Sequence, residues 1–134
     1  MQPVPIHFAA FAVATIAKFA IGWLWYSPLM FMRQWKTLSG VTEETMKTGM
    51  GTAIAIWFGG SLVMAFVLAH AVFYAGAHGP AQGAAVGFFN WLGFVLVTML
   101  DDYAAEKTPF KLVAIKSGNQ LVGLIVMGMI LATW

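Results

Sequence analysis
The chain has 134 residues, of which 60% are hydrophobic and 9% charged, with a formal net charge of +2 and a mean hydropathy of +0.80. Soluble domains carry about a quarter charged residues, so this composition does not fit a water-dissolved globule and points to one unit, residues 1–134, dissolved in lipid. Two surplus positive charges, dispersed along the chain, make no nucleic-acid surface, and the absence of cysteine removes disulfides, thiolate metal sites, cysteine nucleophiles and cysteine lipidation.

A bilayer core takes ~20 apolar residues of helix. Four segments meet that length: 6–26, 52–74, 81–103 and 109–134. The expected fold is therefore all-α, a polytopic integral membrane protein with four transmembrane helices in an antiparallel bundle. The first segment has no basic leader and outruns a signal-peptide core, so it reads as a retained span. It closes at Tyr26-Ser27-Pro28, because proline disfavours helix at the residue before it. Residues 29–38 follow, with Met30, Phe31, Trp35 and Leu38 set against Arg33 and Lys36. They read as a short helix lying along the membrane interface, the alternative being a structured loop with a snorkelling Arg33. Gly40 then reads as a stop, and Thr42 as the N-cap of a helix with Glu43 and Glu44 in its first turn. Gly59-Gly60 could loosen the second span at mid-membrane. The uncharged turn Ala75–Pro80 is short enough to force an antiparallel pair. Before the last span, Thr108 suits an N-cap and Pro109 the first helical position.

Lysine and arginine collect in cytoplasmic loops. Arg33, Lys36 and Lys47 follow the first span, and Lys107 and Lys111 follow the third. The N-terminal tail, the 75–80 turn and the C-terminus carry none. Loops 27–51 and 104–108 are accordingly expected in the cytoplasm and both termini outside, in a bacterial inner membrane. Trp25, Tyr26, Arg33 and Trp35 are the expected interfacial anchors on the loop side.

The unusual residues lie inside the spans. Lys18 precedes Tyr26 by eight residues, ~12 Å of helix, and Lys116 follows Pro109 by seven. Asp101 and Asp102 stand near the same end of the third span. A lone charge at helix centre costs ~3 kcal/mol on insertion scales. Two cations and two anions from three helices are thus expected to share one half of the bilayer and to pair. Snorkelling, or a hydrated site open to solvent or a substrate, are the alternatives. Asn90, Asn119 and Gln120 extend the polar set toward the midplane, either as interhelical hydrogen bonds or as part of a solute or proton path. His7, His70 and His78 lack a metal-binding spacing, and no metal, cofactor or catalytic site is expected. Gly83-x-x-x-Gly87, Ala55-x-x-x-Gly59, Ala65-x-x-x-Ala69 and Gly128-x-x-x-Ala132 permit close helix approach. Since four helices bury little of their surface, some of these faces are expected to meet another subunit, with packing inside the chain as the alternative.

The stretches "LWYSP", the downstream Trp35, "GFFNWLGFVLVTMLDDY" and the final "MGMILATW" resemble the bacterial and fungal membrane family known as domain of unknown function 1761, over nearly the whole chain. The resemblance implies four helices and no established activity. It also implies that neutral groups are common in relatives at positions 18, 101, 102 and 116, so the four charges look like a compensated exchange. A Tyr-His pair common at 119–120 is replaced here by Asn119-Gln120, and since Gln120 cannot titrate, histidine-based chemistry is not expected to carry over from the family to this position. The expected function is a non-enzymatic subunit that self-associates or serves a larger membrane complex, its partners being the lipid bilayer and other membrane chains. The alternatives are a small oligomeric transporter or channel for protons, ions or a small polar solute, and a reactive-lysine protein built on Lys116 or Lys18.

Overall fold
The computed structural model describes residues 3–134, so Met1 and Gln2 of the expected unit lie outside the described residues. Six α-helices and one π-helical segment follow in order: α1 Phe8–Trp25, α2 Met32–Ser39, α3 Glu43–Tyr74, α4 Gly79–Asn90, the π segment Trp91–Leu96, α5 Val97–Glu106 and α6 Phe110–Thr133. The run from α4 to α5 is one uninterrupted helix, Gly79–Glu106. With α1, α3 and α6 it makes four helices long and apolar enough to cross a membrane. The protein is all-helical, and these four helices pack as a bundle.

Local chemistry explains each boundary. His7 opens α1, its Nδ1 accepting from the Ala10 amide at 3.3 Å. The helix ends at Trp25, where the Ser27 hydroxyl donates to the Leu24 carbonyl at 2.6 Å ahead of Pro28. Residues 27–31 are used up by a tight turn in which the Phe31 amide donates back to the Trp25 carbonyl at 3.0 Å. The short helix expected from residue 29 therefore starts at Met32. It stops at Gly40, which takes φ +76°, a left-handed conformation that suits glycine. Thr42 caps α3 as expected, its hydroxyl accepting from the Thr45 amide at 3.2 Å.

Three local expectations are corrected. The span expected at 52–74 is the upper part of a longer rod, because helix starts at Glu43 and runs 32 residues without a break at Gly59-Gly60. The irregular turn lies instead in the third span, as the π segment Trp91–Leu96. The last helix is capped by Pro109 rather than Thr108. Pro109 is extended at ψ 133°, and its carbonyl accepts from the Leu112 and Val113 amides.

Helix α6 is the centre of the bundle. Its apolar window is 44% buried inside the chain, against 11–22% for the other three, and it packs on α1, α3 and α4. The 75–80 turn folds α4 back, but α4 leans mainly on α6 rather than on its chain neighbour α3. Gly83 and Gly87 make that contact possible. A Cβ at Gly83 would collide with the Gly128 carbonyl and stand 2.7 Å from the Ala132 Cβ, and one at Gly87 would collide with the Leu124 backbone. The small-residue pairs 83/87 and 128/132 thus pack against each other within the chain. Ala14, Ala65, Leu68, Val72, Leu124 and Met127 fill the core beside this contact.

Candidate functional site: a polar seam between α1 and α6
Helices α1 and α6 run antiparallel in a register that named contacts define. At one end the His7 and Trp134 rings lie 5.8 Å apart. Further along, the Lys18 side chain rests on Gly123, and the Asn119 Oδ1 stands 3.9 Å from the Cβ position of Gly22. At the α2 end the Trp25 indole N–H donates to the Ile115 carbonyl at 2.8 Å. One helical turn on α1, from Gly22 to Lys18, is matched by one turn on α6, from Asn119 to Gly123.

Lys18 is 6% exposed. Glycine at 123 is what admits it, since a Cβ there would clash with the lysine Cδ and lie 2.7 Å from its Cε. Asn119 is 4% exposed, and Tyr26 is a polar neighbour of its side chain. The Asn119 Oδ1 and Gln120 Oε1 are buried without a hydrogen-bond partner among the described residues. Buried amide oxygens left unpaired are costly, of order 1–3 kcal/mol each. On the other side of Lys18 the seam closes over Ala14 and Met127, both fully buried, and Thr15, whose hydroxyl is spent on the Phe11 carbonyl at 2.8 Å. The polar groups therefore form a wedge that runs from the α2 end to Lys18 and stops.

Two tryptophans clamp α6 beside this wedge. Trp25 donates to Ile115, and Trp91, from the π segment, donates to the Ser117 carbonyl at 2.8 Å. Gly118 makes room for the Trp25 ring, whose Cζ2 stands 3.0 Å from the Cβ position. Sequence reasoning placed Trp25 only as an interfacial anchor and did not single out Trp91. Both rings sit on a run of α6 that is unusually small and polar for a span, Ser117-Gly118-Asn119, and that run was the available signal.

The expected four-charge cluster does not assemble within the chain. Asp101, Asp102 and Lys116 are exposed, and the ion pair found among the described residues is Lys36–Glu43, at 3.7 Å on the α2 side. Axial offset is the reason. The Tyr103 and Phe110 rings meet at 5.6 Å, so the two aspartates are level with the start of α6. From Phe110, Lys116 lies six residues on and Gly123 thirteen, ~9 Å and ~20 Å along the axis. The expectation treated the helix ends as level, whereas α1 ends opposite Ile115, so Lys18 lies deeper than either aspartate. Asn90 also stands apart, its Nδ2 donating to the Val86 carbonyl of its own helix at 2.8 Å. The seam thus unites Lys18, Asn119 and Tyr26, and leaves Asn90, Asp101, Asp102 and Lys116 outside, while Gln120 is turned about 100° round α6 from Asn119.

The expected anchors gather at the α2 end. Tyr26 and Trp35 have ring centroids 5.2 Å apart, and Trp25 and Phe31 4.9 Å, while Arg33 is exposed. His70 bonds the Phe66 carbonyl at 2.8 Å, and the His78 amide donates to Gln82. Among the described residues no group of three His, Asp or Glu side chains converges.

A helical bundle with four membrane-length rods and a lysine packed between two of them defines a class, that of small polytopic membrane proteins, rather than an activity. Within that class the chain belongs to the family described as protein of unknown function (DUF1761), whose model matches residues 9–132. No curated protein and no solved structure matches it.

Proposed function
We propose that the chain is a non-enzymatic membrane subunit that self-associates through α3. The carrying observation is a contrast among glycines. Gly83, Gly87, Gly118, Gly123 and Gly128 are all consumed by close contacts, whereas nothing lies within 4 Å of the Cβ positions of Gly59 and Gly60 on α3. Trp57, Phe58 and Phe66 flank that bare surface and are 43–47% exposed. Lipid tails give helices no hydrophobic reason to associate, so small residues favour association by letting backbones approach. A second copy would fill the space. The Lys and Arg asymmetry supports placing the α2 end in the cytoplasm, in a bacterial inner membrane.

The test is the mass of the protein in lipid nanodiscs before and after Gly60→Leu. The reading predicts a defined oligomer that falls to a monomer with unchanged helical content. A wild-type monomer would refute self-association, and a stoichiometric foreign chain on gentle isolation would assign the surface to a larger complex instead.

The polar wedge supports a second reading, a path for protons or a small polar solute. A lysine held at depth, one helical turn from the unpaired amide oxygen of Asn119, is the kind of intramembrane group that marks such paths. That reading predicts dissipation of an imposed gradient by proteoliposomes, abolished by Lys18→Met. Intact gradients with the wild-type protein would remove it.

A further inference from the structure
Where α2 meets the start of α6, Arg33, Gln34, Thr37, Leu38 and Lys111 line an open recess of ≈ 260 Å³. It lies apart from the α1–α6 seam and is formed by the short helix and the first turn of α6. Neither cation has an acidic partner, since the ion pair among the described residues is taken by Lys36 and Glu43. Gln34 adds an uncharged amide side chain to the lining. The Thr37 hydroxyl donates to the Arg33 carbonyl at 2.9 Å and keeps its lone pairs free to accept.

We propose that this recess binds the headgroup of a phospholipid carrying one net negative charge and a free hydroxyl, of the glycerol phosphodiester type. The phosphate would lie between Arg33, whose planar fork matches two of its oxygens, and Lys111, which acts as a point charge. The headgroup hydroxyl would donate to the exposed Thr37 hydroxyl oxygen. A choline headgroup fails on both counts, having no net charge and no donor. Leu38 supplies the apolar wall along which the glycerol backbone leaves for the acyl region. The position also favours a lipid over soluble phosphate. Arg33 and Lys111 are each the second residue of their helices, at the end of the bundle where a bilayer presents its headgroups, and basic recesses at that depth select anionic lipids.

The experiment is native mass spectrometry of the full chain released from mixed micelles. These contain equal amounts of phosphatidylglycerol, phosphatidylmethanol and phosphatidylcholine. Phosphatidylmethanol has the same charge as phosphatidylglycerol and lacks the hydroxyl. The proposal predicts about one retained phosphatidylglycerol per chain, at least about threefold over phosphatidylmethanol and about tenfold over phosphatidylcholine. Arg33→Gln with Lys111→Gln should erase the preference for both anionic lipids, and Thr37→Val the preference between them. Both cations are exposed, so the double variant is expected to fold. Equal retention of all three lipids, or a preference unchanged in the double variant, would overturn the site. Equal retention of the two anionic lipids would overturn the hydroxyl-bearing headgroup. Displacement by free glycerol phosphate at matching concentration would reassign the recess to a soluble ligand and overturn the lipid.

Discussion

Helix α6 presents two seams of opposite construction. Toward α4 it is dry and shape-driven, with Gly83 and Gly87 bringing backbone onto the backbone of Gly128 and Leu124. Toward α1 it is polar and incompletely satisfied, with Lys18 on Gly123 and an unpaired oxygen on Asn119. The difference separates two uses of glycine in one helix. At 128 it lets two helix backbones touch, and at 123 it houses a lysine side chain. The first use holds the fold together. The second places a group that stability alone would not select.

Breaking the dry seam carries the largest expected effect. Gly83→Leu or Gly87→Leu drives a side chain into backbone that cannot yield, so a loss of at least about 3 kcal/mol, or failure to fold, is expected in a detergent melting assay. Such a variant melting like the wild type would show that α4 does not lie on α6. The polar seam should respond with the opposite sign. Lys18→Met removes a buried charge lacking an acidic partner and keeps a flexible chain over Gly123, so stability should rise by about 1–3 kcal/mol. Asp101→Asn should add to that change without coupling, because the two sites are far apart along the axis. A non-additive result would restore the pairing that the register rules out.

Smaller effects sharpen the contrast. Trp25→Phe deletes one indole hydrogen bond to Ile115 while keeping most of the ring, and should cost about 0.5–1.5 kcal/mol. Lys107 ends α5 in the left-handed conformation at φ 56°, which disfavours a residue with a Cβ. Lys107→Gly is therefore expected to gain about 0.5–1 kcal/mol, read as a slightly raised melting point. No gain would mean that Lys107 finds compensation in its side chain.

Individual helices were legible from the sequence because their signals are local. Apolar length marked four rods, Gly40 and Thr42 marked a stop and a start, and Gly83-x-x-x-Gly87 marked a face able to approach closely. Axial register was not legible. A helix slid by seven residues keeps two full turns and the same facing surface, so periodicity cannot tell Lys18 opposite Lys116 from Lys18 opposite Gly123. Only the packing of Trp25 on Gly118 and of Lys18 on Gly123 decides between them. The π segment escaped for a related reason. Its extra residue leaves no compositional mark, and the visible glycine pair at 59–60 pointed to the wrong helix.

The chain has no cysteine, so paired cysteines can report the register without background. Lys18→Cys with Gly123→Cys sets two thiols facing each other across the seam, where the lysine stem now lies on the Gly123 Cβ position, whereas Lys18→Cys with Asp101→Cys sets them on levels ~20 Å apart along the axis. Mild oxidation in membranes should close the 18–123 pair within single chains and leave 18–101 open. A bridge at 18–101 in place of 18–123 would contradict the polar seam and return Lys18 to the aspartates.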